Sequence, residues 1–185
     1  MTDLPSVVTL SKLGQNQLLY FDVTEKTPWG RELLEELNEL HDQEVRVAAL
    51  TGNFMNANLE LERKHSTKLG DHLLIHADLE AHYITSCIRC LIPMEESLQV
   101  SFDACAINQE YANEPEHKDL ATVYLENKER ELYFFDNNQV NIKEIMHEQI
   151  FLTKNPLPLH SDDCKGLCQI CGTNLNHELC IHMRN

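Results

Sequence analysis

The chain has 185 residues, 15 basic and 30 acidic side chains, and a formal net charge of −15. At about 150 residues per domain this length makes one domain, spanning 1–185, with room for a sizeable core. A hydrophobic share of 42% excludes wholesale disorder. No apolar run approaches the roughly 18 residues of a membrane-spanning helix, and the first residues lack a secretory pattern, so a cytoplasmic protein with no membrane contact is expected. So few cations among so many acids argue against a broad phosphate-binding surface. A basic protein partner suits the excess better, because opposite potentials steer encounter.

Residues 1–44 form an N-terminal region whose first 26 residues carry few clear signals. Thr27-Pro28 then predicts a helix start, with threonine placed to cap free N–H groups and proline tolerated at the first helical position. Leu33, Leu34, Leu37 and Leu40 give one apolar stripe. Glu32, Glu35, Glu36 and Glu39, followed by Asp42 and Glu44, put one sign of charge on the other face. That face suits either plain solvation or a basic partner.

Residues 45–135 read as a β-rich core. Val45–Leu50 predicts a strand, and then the apolar period becomes two. Met55, Ala57, Leu59 and Leu61 alternate with polar residues, as do Ile75 to Tyr83 and Leu98 to Ala104. Such runs are strands with one buried and one wet face, as in an antiparallel meander. Cys87-Ile88-Arg89-Cys90 falls between the last two runs, at a hairpin tip. Residues 108–119 predict a polar, acidic loop, and Leu120–Leu125 and Glu131–Phe135 two short strands.

Residues 136–159 hold a second helix. Asn141 and Glu144 form a capping-box-like start, and Ile142, Ile145, Met146 and Ile150 follow at helical spacing. Asn155-Pro156 ends it, and Pro156-Leu157-Pro158 leads into a cysteine-rich tail, 160–185. Net charge is −6 over residues 1–44, −5 over 103–131 and only −1 over 160–185.

Seven cysteines are an odd number for a disulfide framework, and a chain of this size needs no such staples. The tail reads His160-x3-Cys164-x3-Cys168-x2-Cys171-x8-Cys180-x-His182. Thiolate and imidazole at spacings of about two to four residues are the preferred ligands of tetrahedral zinc. Cys87, Cys90, His160, Cys164, Cys168, Cys171, Cys180 and His182 are therefore candidate ligands for one or two structural Zn²⁺ ions. One arrangement joins Cys87 and Cys90 to Cys168 and Cys171. Another joins them to His160 and Cys164, leaving Cys168, Cys171, Cys180 and His182 as a second, local site. Cys105 ends a strand and reads as a small packed residue.

Two other functions fit parts of this pattern: a CxxC thiol–redox protein, with Arg89 beside the thiols, and a generic zinc-stabilised interaction module. No GxSxG, P-loop, GxGxxG or HExxH is present, and His76 and His82 fall on a wet strand face, so no enzyme is expected. The fold class read from these elements is α+β: an antiparallel β-sheet meander flanked by helices, with a zinc-knuckle-like tail packed near the CxxC hairpin.

The stretch Asp163-Cys-Lys-Gly-Leu-Cys-Gln-Ile-Cys-Gly-Thr-Asn-Leu-Asn176 closely resembles the tail of the YceD family. Cys87-Ile-Arg-Cys-Leu91 resembles its hairpin motif, and the helix before Pro156 occupies the expected place between them. The resemblance spans about residues 45–182. The family's tail often carries cysteine where this chain has His160 and His182, an exchange of one zinc ligand type for another. Members are large ribosomal RNA subunit accumulation proteins, so the resemblance implies a part in accumulation or processing of that RNA. With this charge, the role is expected to run through a basic ribosomal protein or rRNA-processing factor bound by the acidic helix face and the 108–119 loop, with ribosomal RNA contacted indirectly.

Overall fold

The structure, a computed structural model, describes residues 4–38, 53–114 and 120–183. In chain order the elements are β1 (Val7–Thr9), β2 (Leu18–Thr24), α1 (Pro28–Leu37), β3 (Phe54–Ser66), β4 (Gly70–Ser86), β5 (Pro93–Asn108), β6 (Thr122–Leu125), β7 (Lys128–Phe135), β8 (Gln139–Asn141) and α2 (Ile142–Thr153). Six strands form one sheet in the order β2-β3-β4-β5-β7-β6, and β1 pairs with β8 separately. The fold is α+β, as the sequence predicts.

From β2 to β5 the sheet is an antiparallel meander. It then departs from one: β7 pairs with β5 in parallel, and β6 sits outside it. Residues 109–127, which link β5 to β7, therefore contain a strand of their own. Gln109–Asn113 form a short 3-10 turn where the sequence predicts plain loop. The strand expected at Val45–Leu50, Glu39 and Leu40 of the expected first helix, Asp42 and Glu44 after it, and residues 115–119 of the expected loop lie outside the described residues.

Alternation along β3 and β4 sends Met55, Leu59, Leu61, Ile75 and Tyr83 to one face, where all are buried. Both helices pack there: Leu33, Leu34 and Leu37 from α1, and Ile142, Ile145, Met146 and Ile150 from α2. Thr27 precedes α1 as expected, but its hydroxyl accepts the Thr24 N–H at 3.3 Å and makes no helix cap. Asn141 does cap α2, its Oδ1 accepting the Glu144 N–H at 3.2 Å. Buried Asn38 ties the end of α1 to β4: its Nδ2 donates to the Leu34 carbonyl at 2.7 Å, and its Oδ1 accepts the Ile84 N–H at 2.8 Å.

The sheet's other face is open over most of β2–β5 but closes at one end. There Leu69, Leu74, Cys105, Ile107 and Leu132 form a second, smaller core. Cys105 is wholly buried in it, and burial pushes its thiol up to about 12.

The two helices are also joined by charge. Lys143 pairs with Glu32 and lies 3.9 Å from Glu36, and His147 Nε2 lies 2.9 Å from Glu36. Two of the carboxylates assigned to a one-signed docking face thus meet the Lys143 ammonium of α2.

Candidate metal centre

The eight predicted ligands fall into two groups. Cys87, Cys90, His160 and Cys164 form one; Cys168, Cys171, Cys180 and His182 form the other. This is the second of the two arrangements the spacing allows. The first does not occur, since Cys168 and Cys171 do not join Cys87 and Cys90.

The first group, a clasp, is built where the tail folds onto the β4–β5 tip. Residues 87–91 close a tight turn, with the Leu91 N–H donating to the Cys87 carbonyl at 2.8 Å and Leu91 itself at φ 59°. The tail is stitched to that turn by backbone bonds: Ile88 N–H to the Pro158 carbonyl at 3.0 Å, and Leu167 N–H to the Arg89 carbonyl at 3.1 Å. The Arg89 guanidinium donates to the carbonyls of Asp162 and Cys164 at 3.3 and 3.2 Å. The cation read from sequence as a thiol activator is thus bonded to tail carbonyls.

The second group is local. A knuckle forms as Gly172 N–H bonds the Cys168 carbonyl, and Cys168 N–H the Thr173 carbonyl, both at 2.8 Å. Gly172 takes φ 73°, which an L side chain rarely adopts. Cys180 and His182 come back over this loop at the start of a short 3-10 turn, Ile181–Met183.

The distances fit a tetrahedral ion. With metal–sulfur bonds near 2.3 Å and metal–nitrogen bonds near 2.05 Å, tetrahedral S–S edges are about 3.8 Å and S–N edges about 3.6 Å. Cys87 and Cys164 sulfurs are 3.8 Å apart, and Cys90 Sγ is 3.3 Å from His160 Nδ1. In the second group, Cys171 and Cys180 sulfurs are 3.4 Å apart. His182 Nδ1 lies 3.8 Å from Cys168 Sγ and 3.3 Å from Cys180 Sγ. Three thiols and one imidazole close each group, a donor set suited to a soft or borderline divalent ion and a closed, structural site.

Electrostatics point the same way. Burial disfavours the Cys87 thiolate, but hydrogen bonds from His160 and from backbone groups outweigh it and bring the thiol down to about 5. Its neighbour Cys90 is pushed up to about 11, by burial and by the adjacent sulfurs of Cys87 and Cys164. Cys171 is lowered to about 6 by the Thr173 hydroxyl and backbone. At Cys180 the His182 backbone N–H pulls the thiol down most strongly, but burial and the neighbouring sulfurs of Cys168 and Cys171 together outweigh it and raise it to about 11. In each group one thiolate suppresses the next. A divalent cation relieves that repulsion and lets all three sulfurs ionise.

The sequence reading missed two supporting side chains. Asn176 donates from Nδ2 towards Cys164 Sγ at 3.5 Å, while its Oδ1 accepts the Lys165 N–H at 2.8 Å. Thr173 places its hydroxyl 3.1 Å from Cys171 Sγ. Both sit in the Gly172-Thr-Asn-Leu-Asn176 run, where the signal is a cluster of small hydrogen-bonding residues beside the ligands.

No helix of the described residues is long and apolar enough to cross a membrane. The family model described as large ribosomal RNA subunit accumulation protein YceD matches residues 75–185, more than half of the chain and the part that holds both metal-type clusters. No curated protein and no solved structure matches the chain.

Proposed function

The chain belongs to the YceD family, and from that membership we propose that it is a non-enzymatic cytoplasmic factor supporting large-subunit ribosomal RNA accumulation. The observation that carries this reading is the family match itself, which covers the hairpin tip, α2 and the whole tail. The test is depletion of the protein followed by profiling of large-subunit precursor rRNA and particles. Unprocessed precursor or a deficit of large subunits is expected; an unchanged profile under full depletion overturns the proposal.

In this reading both ions are zinc and structural. Cys87, Cys90, His160 and Cys164 hold one, and Cys168, Cys171, Cys180 and His182 the other. A zinc ion there supplies cross-linking, with no open position for substrate. The clasp thiols are an unfavourable redox centre, because Cys87 and Cys90 are 0% and 4% exposed and an attacking sulfur must be reached.

The partner we propose is a basic ribosomal protein or processing factor, with RNA affected indirectly. Support comes from the open sheet face. Asp22, Asn58 and Asp78 are exposed there in one cross-strand row, and Glu80 beside them. Among the described residues, Asp78 and Glu80 have only His76 and His82 as ion-pair partners. Meanwhile Arg63 pairs with Asp71, and Lys64 with Glu62 and Glu126, which leaves these bases poorly placed for phosphate. Salt-sensitive capture of ribosomal proteins supports the bridge. Crosslinks from Arg63, Lys64, Lys68 or Lys165 to precursor rRNA favour direct RNA contact instead.

A further inference from the structure

We propose that the terminal cluster is an oxidation site, where hydrogen peroxide closes a Cys171–Cys180 disulfide and releases the metal while the clasp stays loaded. This rests on the reading that both clusters hold zinc.

Access separates the two. Cys87, Cys90 and Cys164 are 0%, 4% and 5% exposed, behind backbone bonds that fix the tail to the hairpin tip. Each cluster has one exposed histidine, His160 or His182, and Cys168 and Cys180 are each 6% exposed, so the difference lies in Cys171, the one exposed sulfur among the six. Peroxide must reach a sulfur to oxidise it, so Cys171 is the point of attack.

A resolving thiol is already in place. Cys180 Sγ lies 3.4 Å from Cys171 Sγ, nine residues along the same segment. That segment is held by few buried apolar contacts: Ile170, Leu179 and Ile181 are 74%, 95% and 75% exposed. A loop so lightly packed can shift to bring two sulfurs into bonding distance.

The chemistry balances. The Cys171 thiolate attacks one peroxide oxygen, the O–O bond breaks, and hydroxide leaves a sulfenic acid on Cys171. The Cys180 thiolate then attacks that sulfur, forming the S–S bond and expelling a second hydroxide. Two electrons leave the sulfur pair, peroxide is reduced, and two protons from solvent convert both hydroxides to water. The ion keeps only Cys168 and His182 of its four ligands and dissociates.

The experiment uses the full chain, loaded with zinc in reducing buffer and assayed for metal content. The reductant is then removed under anaerobic conditions, hydrogen peroxide is added, released zinc is followed with a chromogenic chelator, and thiols are mapped by differential alkylation and mass spectrometry. One zinc is expected to leave at least about tenfold faster than the other, given the difference in sulfur access. It should leave with a peptide linking Cys171 to Cys180, while Cys87, Cys90, Cys164 and buried Cys105 stay reduced. Reductant plus zinc should restore the starting state. Cys171→Ser should abolish the linked peptide and the fast phase, whether or not that variant keeps its second ion. Release of both ions at one rate, release from the clasp first, or a disulfide using Cys168 overturns the proposal alone. A chain that holds no zinc before peroxide overturns the metal reading and the proposal with it.

Discussion

Gly166 lies so close to Arg89 that a Cβ added to it would sit 3.1 Å from the Arg89 carbonyl oxygen. The same glycine takes φ 74° and so combines a left-handed backbone with a close approach. The adjacent Leu167 N–H donates to that very carbonyl. Gly166→Ala should therefore strain the residue and push the tail off the hairpin tip, at a cost of about 1–3 kcal/mol. Gly172 offers a control, with φ 73° but nothing within 4 Å of an added Cβ. Thermal unfolding should show a larger loss for Gly166→Ala than for Gly172→Ala; equal losses would mean that the contact with Arg89 contributes nothing.

Removing one ligand from each cluster should have unequal consequences. Cys90→Ser and Cys180→Ser should each lower bound zinc by one ion per chain. Only the first breaks a link between distant parts, since Cys90 and His160 are 70 residues apart in sequence. A site filled at about 100 times its Kd contributes about 3 kcal/mol to stability. Cys90→Ser should show that loss in global unfolding, whereas Cys180→Ser should chiefly raise hydrogen exchange after residue 166. A large global loss from Cys180→Ser would contradict the local character of the terminal site.

His72 makes stability depend on pH. It is 5% exposed, its Nδ1–H donates to the Gly70 carbonyl at 3.0 Å, and burial holds its pKa below the ordinary 6.5. Folding thus favours the neutral ring. The unfolded chain takes up the proton first as pH falls through about 6.5, and stability is lost from there downward. His72→Asn keeps an N–H for the carbonyl and removes the titration. Its unfolding free energy should fall less steeply between about pH 7 and 5 than that of the wild type; parallel curves would rule out this account.

Neutralising the open sheet face should weaken the proposed partner more than neutralising α1. Asp22→Asn, Asp78→Asn and Glu80→Gln together should reduce capture of basic ribosomal proteins and flatten its salt dependence. Glu32→Gln with Glu36→Gln removes surface ion pairs to Lys143, worth at most about 1 kcal/mol of stability each, and the His147 contact. Equal capture by the sheet variant and the wild type would exclude that face.

What the sequence revealed follows physical lines. β3, β4 and β5 were legible because most of their length has one wet and one buried face. Alternation fails where both faces are covered, at Leu73-Leu74-Ile75 and Ala104-Cys105-Ala106-Ile107, all buried. β1 and β8 are three residues each, too short for any period, and β2 lay in a stretch with mixed pattern. The parallel β5–β7 pairing arises from a crossover, which leaves no local mark. All eight candidate ligands could be read from residue type and spacing, but not their partition. CxxC spacing is satisfied in either arrangement, and the choice depends on backbone bonds such as Leu167 N–H to the Arg89 carbonyl.

In the proposed zinc reading the clasp also favours an order of events in folding. Its four ligands come from a hairpin tip and from a tail on the far side of α2, so they meet only once β4, β5 and α2 are in place. Closing a loop of 70 residues costs about 4 kcal/mol of chain entropy unless intervening structure has already shortened it. During synthesis Cys87 and Cys90 emerge well before His160 and Cys164 exist. Under the proposed zinc reading, capture of an ion by the clasp is therefore expected late, after the sheet and second helix have formed.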